Sequence, residues 1–421
     1  MESTLGAGGP KVLTSVSPSH LDRVLSPSAR RRGELDPGAC RARVNLGLAA
    51  SERRRNNLRF TLYCRPGLAR SYGPPSEMRS SKTTSPKRIS TALPYDVIDV
   101  RQFDSNQLAH LLDAEAQAWN LALRWDYASS RRVIANCLDE KRLAGYALCV
   151  NGDPKGYSYF FYEGDKALIG NLFVETAAPD RIQRAGLLLR HVLETLLATP
   201  RLARVETQLP HFTLEELEPF FRVHGFQAHL RRFMILSLAR RKRIAYSLGV
   251  KKSADVVRPV VVPPDFQLLP WERRHDRAAA EMVASTYRHH IDAQINDQYA
   301  SRAGSARLLE SIVQQHGCGE LIPSASLVAI HQPTGRLAAA LAVTTVRART
   351  AHIPQIAAAP EFQGHGLGSA LLEMALQELC RRDYEEVSLT VTDLNAGAVR
   401  LYQRLEFETF RTFGAFTWQR R

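Results

Sequence analysis

Between Ala351 and Leu379 the chain reads AHIPQIAAAPEFQGHGLGSALLEMALQEL, a run that leaves few folds open. Ile353 to Ala359 is apolar and short enough for one buried strand, which Pro360 stops. Gln363-Gly364-His365-Gly366-Leu367-Gly368 is a turn with three glycines. Leu371, Leu372, Ala375, Leu376 and Leu379 then recur at helical spacing and predict a single apolar face. A strand led through a glycine turn into a helix gathers unbonded backbone N–H groups and the positive end of a helix dipole, which suits an anion. Two familiar versions are excluded. The dinucleotide fingerprint G-x-G-x-x-G/A meets Ser369 when read from Gly364 and Leu371 when read from Gly366, and no Gly-Lys-Ser/Thr closes a P-loop.

The order of elements around this run occurs twice. In the first copy, strands are expected at 95–103, 143–150, 157–162, 167–174, 204–207 and 233–238. Helices are expected from Ser105 as N-cap to Trp119, over 127–138 and 186–197, and from Thr213. Asn151-Gly152 and Glu163-Gly164-Asp165 supply turn chemistry for an antiparallel meander. In the second copy, strands fall at 266–270, 326–330, 336–346, 352–359, 387–392 and 413–418, and helices at 276–288, 306–315, after the glycine turn, and at 396–405. A repeat of this length reads as two domains: residues 93–240 and 265–421, joined by a linker over 241–264 with a basic start and Pro259, Pro263 and Pro264. The first copy aligns Gln183-Arg184-Ala185-Gly186-Leu187-Leu188 with the glycine turn. It keeps one glycine but places Leu188 where the second copy has Gly368.

Two motifs in the second copy carry a resemblance. One is Gln-x-x-Gly-x-Gly, at Gln363, Gly366 and Gly368. The other is Asn-x-x-Ala-x-x-Leu-Tyr with a later Phe, at Asn395, Ala398, Leu401, Tyr402 and Phe407. The pair resembles the GNAT superfamily of acyl-CoA-dependent N-acyltransferases over about 266–418, and the first copy resembles it only in layout. One departure is Glu406, at a helix end where the family has glycine and a left-handed residue is favoured. The resemblance implies an α+β fold with a mixed sheet in two tandem GNAT-like domains, the C-terminal one active and the first a degenerate copy whose Phe221 replaces the tyrosine. It implies acetyl-CoA as cosubstrate, its pyrophosphate on Gln363, Gly364, His365, Gly366, Leu367, Gly368 and Ser369. Backbone amides around Ile356, Ala357 and Ala358 would polarise the thioester, Asn395 would orient the cofactor arm or a water, and Tyr402 would protonate the leaving thiolate.

The base is less determined: His352 lies eleven residues before Gln363, where several family members carry Glu, and Gln355 could only position a water. The loop after the first helix of the second copy, His289-His290-Ile291-Asp292-Ala293-Gln294-Ile295-Asn296-Asp297-Gln298-Tyr299, is the expected acceptor side. Asp292 and Asp297 would attract an ammonium, with Tyr299 beside them. Adjacent histidines on a helix point apart, so no metal is expected there. The acceptor is an amine on a small molecule or a peptide. A non-catalytic acyl-CoA-sensing module is the alternative.

Charge bears on the remaining class, a nucleic-acid-associated protein. The net charge is +14, but residues 1–92 hold 17 Lys+Arg against 6 Asp+Glu, leaving +3 for the rest. That leader, rich in Ser, Pro, Gly and Arg, reads as disordered. It is open to reading as a basic arm, a transit peptide or an over-extended start with Met78 as the alternative. A near-neutral body argues against nucleic acid as the partner of the folded part. No run of 18 apolar residues occurs, so no membrane span is expected. Six dispersed cysteines without a C-x-x-C pair suit a reducing cytoplasm.

Overall fold

Turn residues shape the first strands. Asn151 and Gly152, at φ 52 and 89, fold β2 (Ala144–Val150) onto β3 (Asp153–Glu163), and Gly164 at φ 66 folds β3 onto β4 (Lys166–Val174). β1 (Tyr95–Asp99) pairs with β2 on the outer edge. The computed structural model describes residues 95–247, 260–315 and 317–420, all within one compact unit. The expected leader and the middle of the expected linker lie outside the described residues.

The first copy continues with α1 (Ala109–Leu123), α2 (Ala128–Asp139), α3 (Arg181–Ala198), β5 (Arg204–Gln208), α4 (Leu214–Arg222) and β6 (Gln227–Ser237). The helix expected from Thr213 is α4, and Thr213 caps it in a reciprocal box with Glu216. Ser105 does not cap α1. It bonds the Asp139 carboxylate through its N–H at 2.8 Å and its hydroxyl at 2.9 Å, and the helix begins four residues later. Helix α3 begins at Arg181, five residues before the expected start, so Gln183 to Leu188 lie inside it and form no glycine turn. The basic start of the expected linker is helical too: α5 (Leu238–Ser247) follows β6 directly.

The second copy contains β7 (Phe266–Pro270), α6 (Asp276–Tyr287), α7 (Ile291–Ile295), α8 (Arg302–Val313), the short β8 (Glu320–Leu321), β9 (Leu327–His331) and β10 (Arg336–Arg347). β11 (Thr350–Ala358), α9 (Leu367–Arg381), β12 (Glu386–Thr392), α10 (Ala396–Arg404) and β13 (Glu408–Gln419) complete it. Every residue assigned from sequence to the apolar face of α9 is buried.

The two copies do not form two sheets. One sheet runs β1-β2-β3-β4-β5-β13-β6-β12-β11-β10-β9-β7, with β8 beside β10. Each copy's last strand is exchanged: β13 lies between β5 and β6, and β6 lies between β13 and β12. The exchange carries side chains into the partner core, where Phe416 of β13 stacks on Phe221 of α4, ring centroids 4.1 Å apart. The boundary at 240 therefore divides the chain order but not the sheet.

Both copies share a device that shapes the site. Ala342 pairs with Gln355 and Thr344 with His352, so Ile353 and Pro354 of β11 oppose Val343 alone. This β-bulge bends β11, and its parallel pairing with β12 ends at Ile353↔Leu389. In the first copy Gly170 is the extra residue, and the parallel pairing of β4 with β5 ends at Ile169↔Thr207. Each copy therefore holds a parallel pair that splays toward its C-terminal end.

Candidate functional site

The chain leaves β11 at Ala358 and returns through α9 to the neighbouring parallel strand β12. That crossover sets the start of α9 beside the end where the two strands diverge. Crevices at the carboxyl ends of parallel strands are the usual ligand sites of such sheets. Gly364 and Gly366 both sit at φ +82, a left-handed conformation that L side chains rarely adopt, and a Cβ at either would meet nothing within 4 Å. Backbone conformation, not packing, demands glycine at these two positions. A Cβ on Gly368 would lie 3.3 Å from Leu401 Cδ2, so close packing of α9 on α10 is the reason there. The first amide bonded back into the helix is Ala370 N–H, to Gly366 O at 3.0 Å, which leaves the Leu367, Gly368 and Ser369 amides at the open helix end. Those amides and the positive end of the helix dipole suit an anion.

Gln363 is turned inward: its Nε2 donates to Ala358 O at 3.1 Å and ties the turn to the end of β11. His365 is exposed, with Nδ1 3.1 Å from Gln363 O.

Ladder geometry separates the three amides expected to polarise a carbonyl. Ala359 N–H bonds Ala338 O at 2.8 Å, on the β10 side. Alternation then turns Ala357 N–H toward β10 as well and aims the Ile356 and Ala358 amides at the splay. Ala357 is thereby removed from the donor set. The Ala358 carbonyl on that side is bonded by Thr286 Oγ1 at 3.2 Å as well as by Gln363.

Tyr402 lies on α10 with 1% exposure, packed edge-on against Phe407. Burial first, and then the neighbouring Tyr287 and Asp292, hold its hydroxyl well above the usual phenol range, so it is a protonated group at neutral pH. Asn395 Oδ1 accepts Ala398 N–H at 3.2 Å and caps α10, a structural duty beyond the expected cofactor contact.

His352 does not stand at the opening. It pairs with Ser388 in the closed part of the parallel ladder, with Nδ1 2.9 Å from Ser388 Oγ and its ring against Trp125 and Phe233. Burial pushes its pKa down to about 3. A neutral imidazole sealed from solvent is poorly suited to the expected role of base.

The acceptor-side loop is also redirected. Asp292 is fully buried, with Oδ1 2.8 Å from Arg231 Nη1 and 2.5 Å from Thr392 Oγ1. His290 Nδ1 caps α7 by accepting Asp292 N–H at 3.2 Å. Asp297 pairs with Lys166 Nζ at 2.6 Å, and its N–H bonds Glu206 Oε1 at 2.9 Å. Neither carboxylate is held out as an open ammonium site; both fasten the loop to strands of the first copy. Tyr299 is stacked on Tyr287 with centroids 4.0 Å apart, and its hydroxyl donates to Gln355 Oε1 at 3.0 Å. Gln355 Nε2 donates in turn to Tyr287 at 2.8 Å, so the bulge places an amide side chain beneath two stacked phenols. Sequence reasoning missed Arg231, Thr392 and Tyr287. A signal existed for Arg231: it shares strand parity with the buried Phe233.

The corresponding place in the first copy is filled. A Cβ on Gly186 would lie 2.2 Å from the Phe220 ring, and Leu188 is buried in the apolar cluster of that half. Glu115, Trp119, Tyr157 and Asn171 form a buried hydrogen-bonded group where the second copy has Gln355, Tyr287 and Tyr299.

Comparison with known proteins agrees with this geometry. Residues 295–407 match the family model described as Acetyltransferase (GNAT) family. The [ribosomal protein bS18]-alanine N-acetyltransferase of Escherichia coli is 42% identical over 69 residues, 16% of this chain and 47% of that protein. The same enzyme of Salmonella typhimurium matches over the same length. The chain thus spans about half the length of these curated relatives. Among solved structures, a tandem GNAT protein from the clavulanic acid biosynthesis pathway aligns at TM-score 0.50 and 18% identity, over 77% of this chain and 98% of its own. A GCN5-related N-acetyltransferase from Sphaerobacter thermophilus aligns at 0.52 and 13%, over 77% and 96%. At these identities the structural likeness shows the fold alone. The match to the GNAT acetyltransferase family model over residues 295–407 takes in the bulged and splayed pair and the glycine turn, so it is the C-terminal half of this chain that is similar to that family.

Proposed function

We propose that the chain is an acetyl-CoA-dependent N-acetyltransferase with one working site, in the C-terminal half. The observation that carries this reading is the glycine turn at the start of α9, facing the opening into which the Ile356 and Ala358 amides point. Gly364, Gly366 and the Leu367–Ser369 amides would hold a pyrophosphate, aided by the dipole of a 15-residue helix. Acetyl-CoA supplies the acyl thioester. Amides preset toward the developing oxyanion lower the barrier without reorganising in the step. As the C–N bond forms and the C–S bond breaks, the amine loses a proton and the thiolate takes one. Tyr402, kept protonated by burial, is the proposed donor.

The acceptor is an amine. The Escherichia coli relative is named for an alanine of a ribosomal protein, which makes a peptide α-amine one acceptor class to try. The first half is proposed as a degenerate copy, supported by the helical path through Gln183–Leu188 and the Phe220 ring beside Gly186. Release of free thiol from acetyl-CoA, followed across an amine panel that includes a peptide beginning with alanine, tests the reading. Turnover that falls in Tyr402→Phe with unchanged acetyl-CoA affinity supports it. Binding without thiol release from any amine would make the chain a sensing module instead.

A further inference from the structure

Arg231 is an arginine with no exposed surface, on a strand of the half that lacks the glycine turn. Strand exchange brings it to the other half, where it pairs with Thr392 in the β6–β12 ladder. Its Nη1 donates to Thr392 Oγ1 at 2.7 Å and to Asp292 Oδ1 at 2.8 Å, while Thr392 donates to the same carboxylate oxygen at 2.5 Å. The triangle closes on two sides of the proposed site. Thr392 ends β12, and its carbonyl accepts Asn395 N–H at 2.9 Å; Asn395 in turn caps α10, which carries Tyr402 one turn beyond Ala398. Asp292 opens α7, from which the chain leads to Tyr299 and its contact with Gln355.

We propose that Arg231 is a positioning residue for acyl transfer, supplied by the first half and acting on the second through Asp292 and Thr392. The proposal rests on the acetyltransferase reading above. Arg231 fixes where β12 ends and therefore where α10 presents Tyr402. It also neutralises a buried carboxylate close enough to act on the Tyr402 hydroxyl, where a thiolate develops. A half without its own cofactor turn is thereby required for turnover. A buried pair is commonly replaceable by apolar or neutral groups at little cost in stability, whereas breaking one side of it is strongly destabilising. That asymmetry separates a positioning role from a merely structural one.

The test compares wild type, Arg231→Met and the double variant Arg231→Met/Asp292→Asn in three measurements. These are melting temperature, calorimetric affinity for acetyl-CoA, and kcat with the amine that wild type acetylates fastest. Arg231→Met should melt well below wild type because it leaves the buried Asp292 carboxylate without its guanidinium partner. The double variant should recover the melting temperature and bind acetyl-CoA as wild type does, yet turn over about tenfold to a hundredfold more slowly, the scale of small misplacements in an active site. A double variant with wild-type kcat overturns the proposal and leaves the acetyltransferase reading intact. A double variant that melts normally but loses acetyl-CoA binding also overturns it, since the effect is then on the cofactor cradle. Wild type that neither binds acetyl-CoA nor releases thiol overturns both.

Discussion

Glu115 allows a prediction with a definite size and sign. It sits on α1 with no exposed surface; Oε1 accepts Trp119 Nε1 at 3.2 Å and Asn171 Nδ2 at 2.8 Å, and Tyr157 donates to Oε2. Burial pushes its pKa up from 4.5 to about 7, outweighing the hydrogen bonds from Tyr157, Tyr127 and Trp119 that pull it down. An acid with a raised pKa binds its proton more tightly folded than unfolded. Its stabilising effect is therefore complete below pH 4.5, declines as pH rises toward 7, and is gone above. At 1.36 kcal/mol per pH unit the difference amounts to about 3 kcal/mol. A glutamine amide at this position would not titrate, so Glu115→Gln should match wild type or fall slightly below it at pH 5, gain on it to about pH 7 and hold that gain at pH 8. For a folded body of this size 3 kcal/mol corresponds to roughly 4 °C in melting temperature. Paired thermal unfolding at pH 5, 6, 7 and 8 measures the gap. A gap that stays constant with pH, or narrows toward pH 8, refutes the reasoning that Glu115 is penalised for its charge.

Four further outcomes follow from the same geometry. Gly366→Asp should abolish calorimetric acetyl-CoA binding by placing a carboxylate at the helix end. A Cβ there meets nothing within 4 Å, so the cost to the fold is the left-handed backbone alone, about 1–2 kcal/mol. Gly186→Ala should destabilise by about 1–3 kcal/mol through the Phe220 ring, without changing acetyl-CoA affinity. Glu406 holds φ 66, and Glu406→Gly should relieve strain of about 1 kcal/mol. It gives up a half-exposed pair with Arg241 at 2.9 Å, so a fall in melting temperature would show that this contact outweighs the strain. Calorimetry with acetyl-CoA should give one site per chain; two equal sites would end the degenerate-copy reading.

Local chemistry was legible from the sequence. The glycine turn, the apolar face of α9, the helix start at Thr213 and the left-handed position at Glu406 each depend on residues within one turn of each other. For such features backbone propensity and spacing are nearly sufficient. The start of α3 was misread because the aligned glycine suggested a turn. That glycine answers to the Phe220 ring, which is distant in sequence. The basic run at 240–242 was expected to open the linker, whereas Arg240, Arg241 and Lys242 pair with Glu408, Glu406 and Asp383 of the second copy.

By itself the sequence determined the family motifs, the repeated order of elements and one half fitted for an anion at a helix start. Tertiary structure alone decided that the two halves share a sheet, because either edge of a splayed strand can accept an antiparallel neighbour and composition does not say which copy supplies it. It also decided that Asp292 and Asp297 meet Arg231 and Lys166, and that His352 is sealed behind Trp125. Charges on a polar loop look alike in sequence whether they wait for a substrate or close on a partner brought from 61 or 131 residues away.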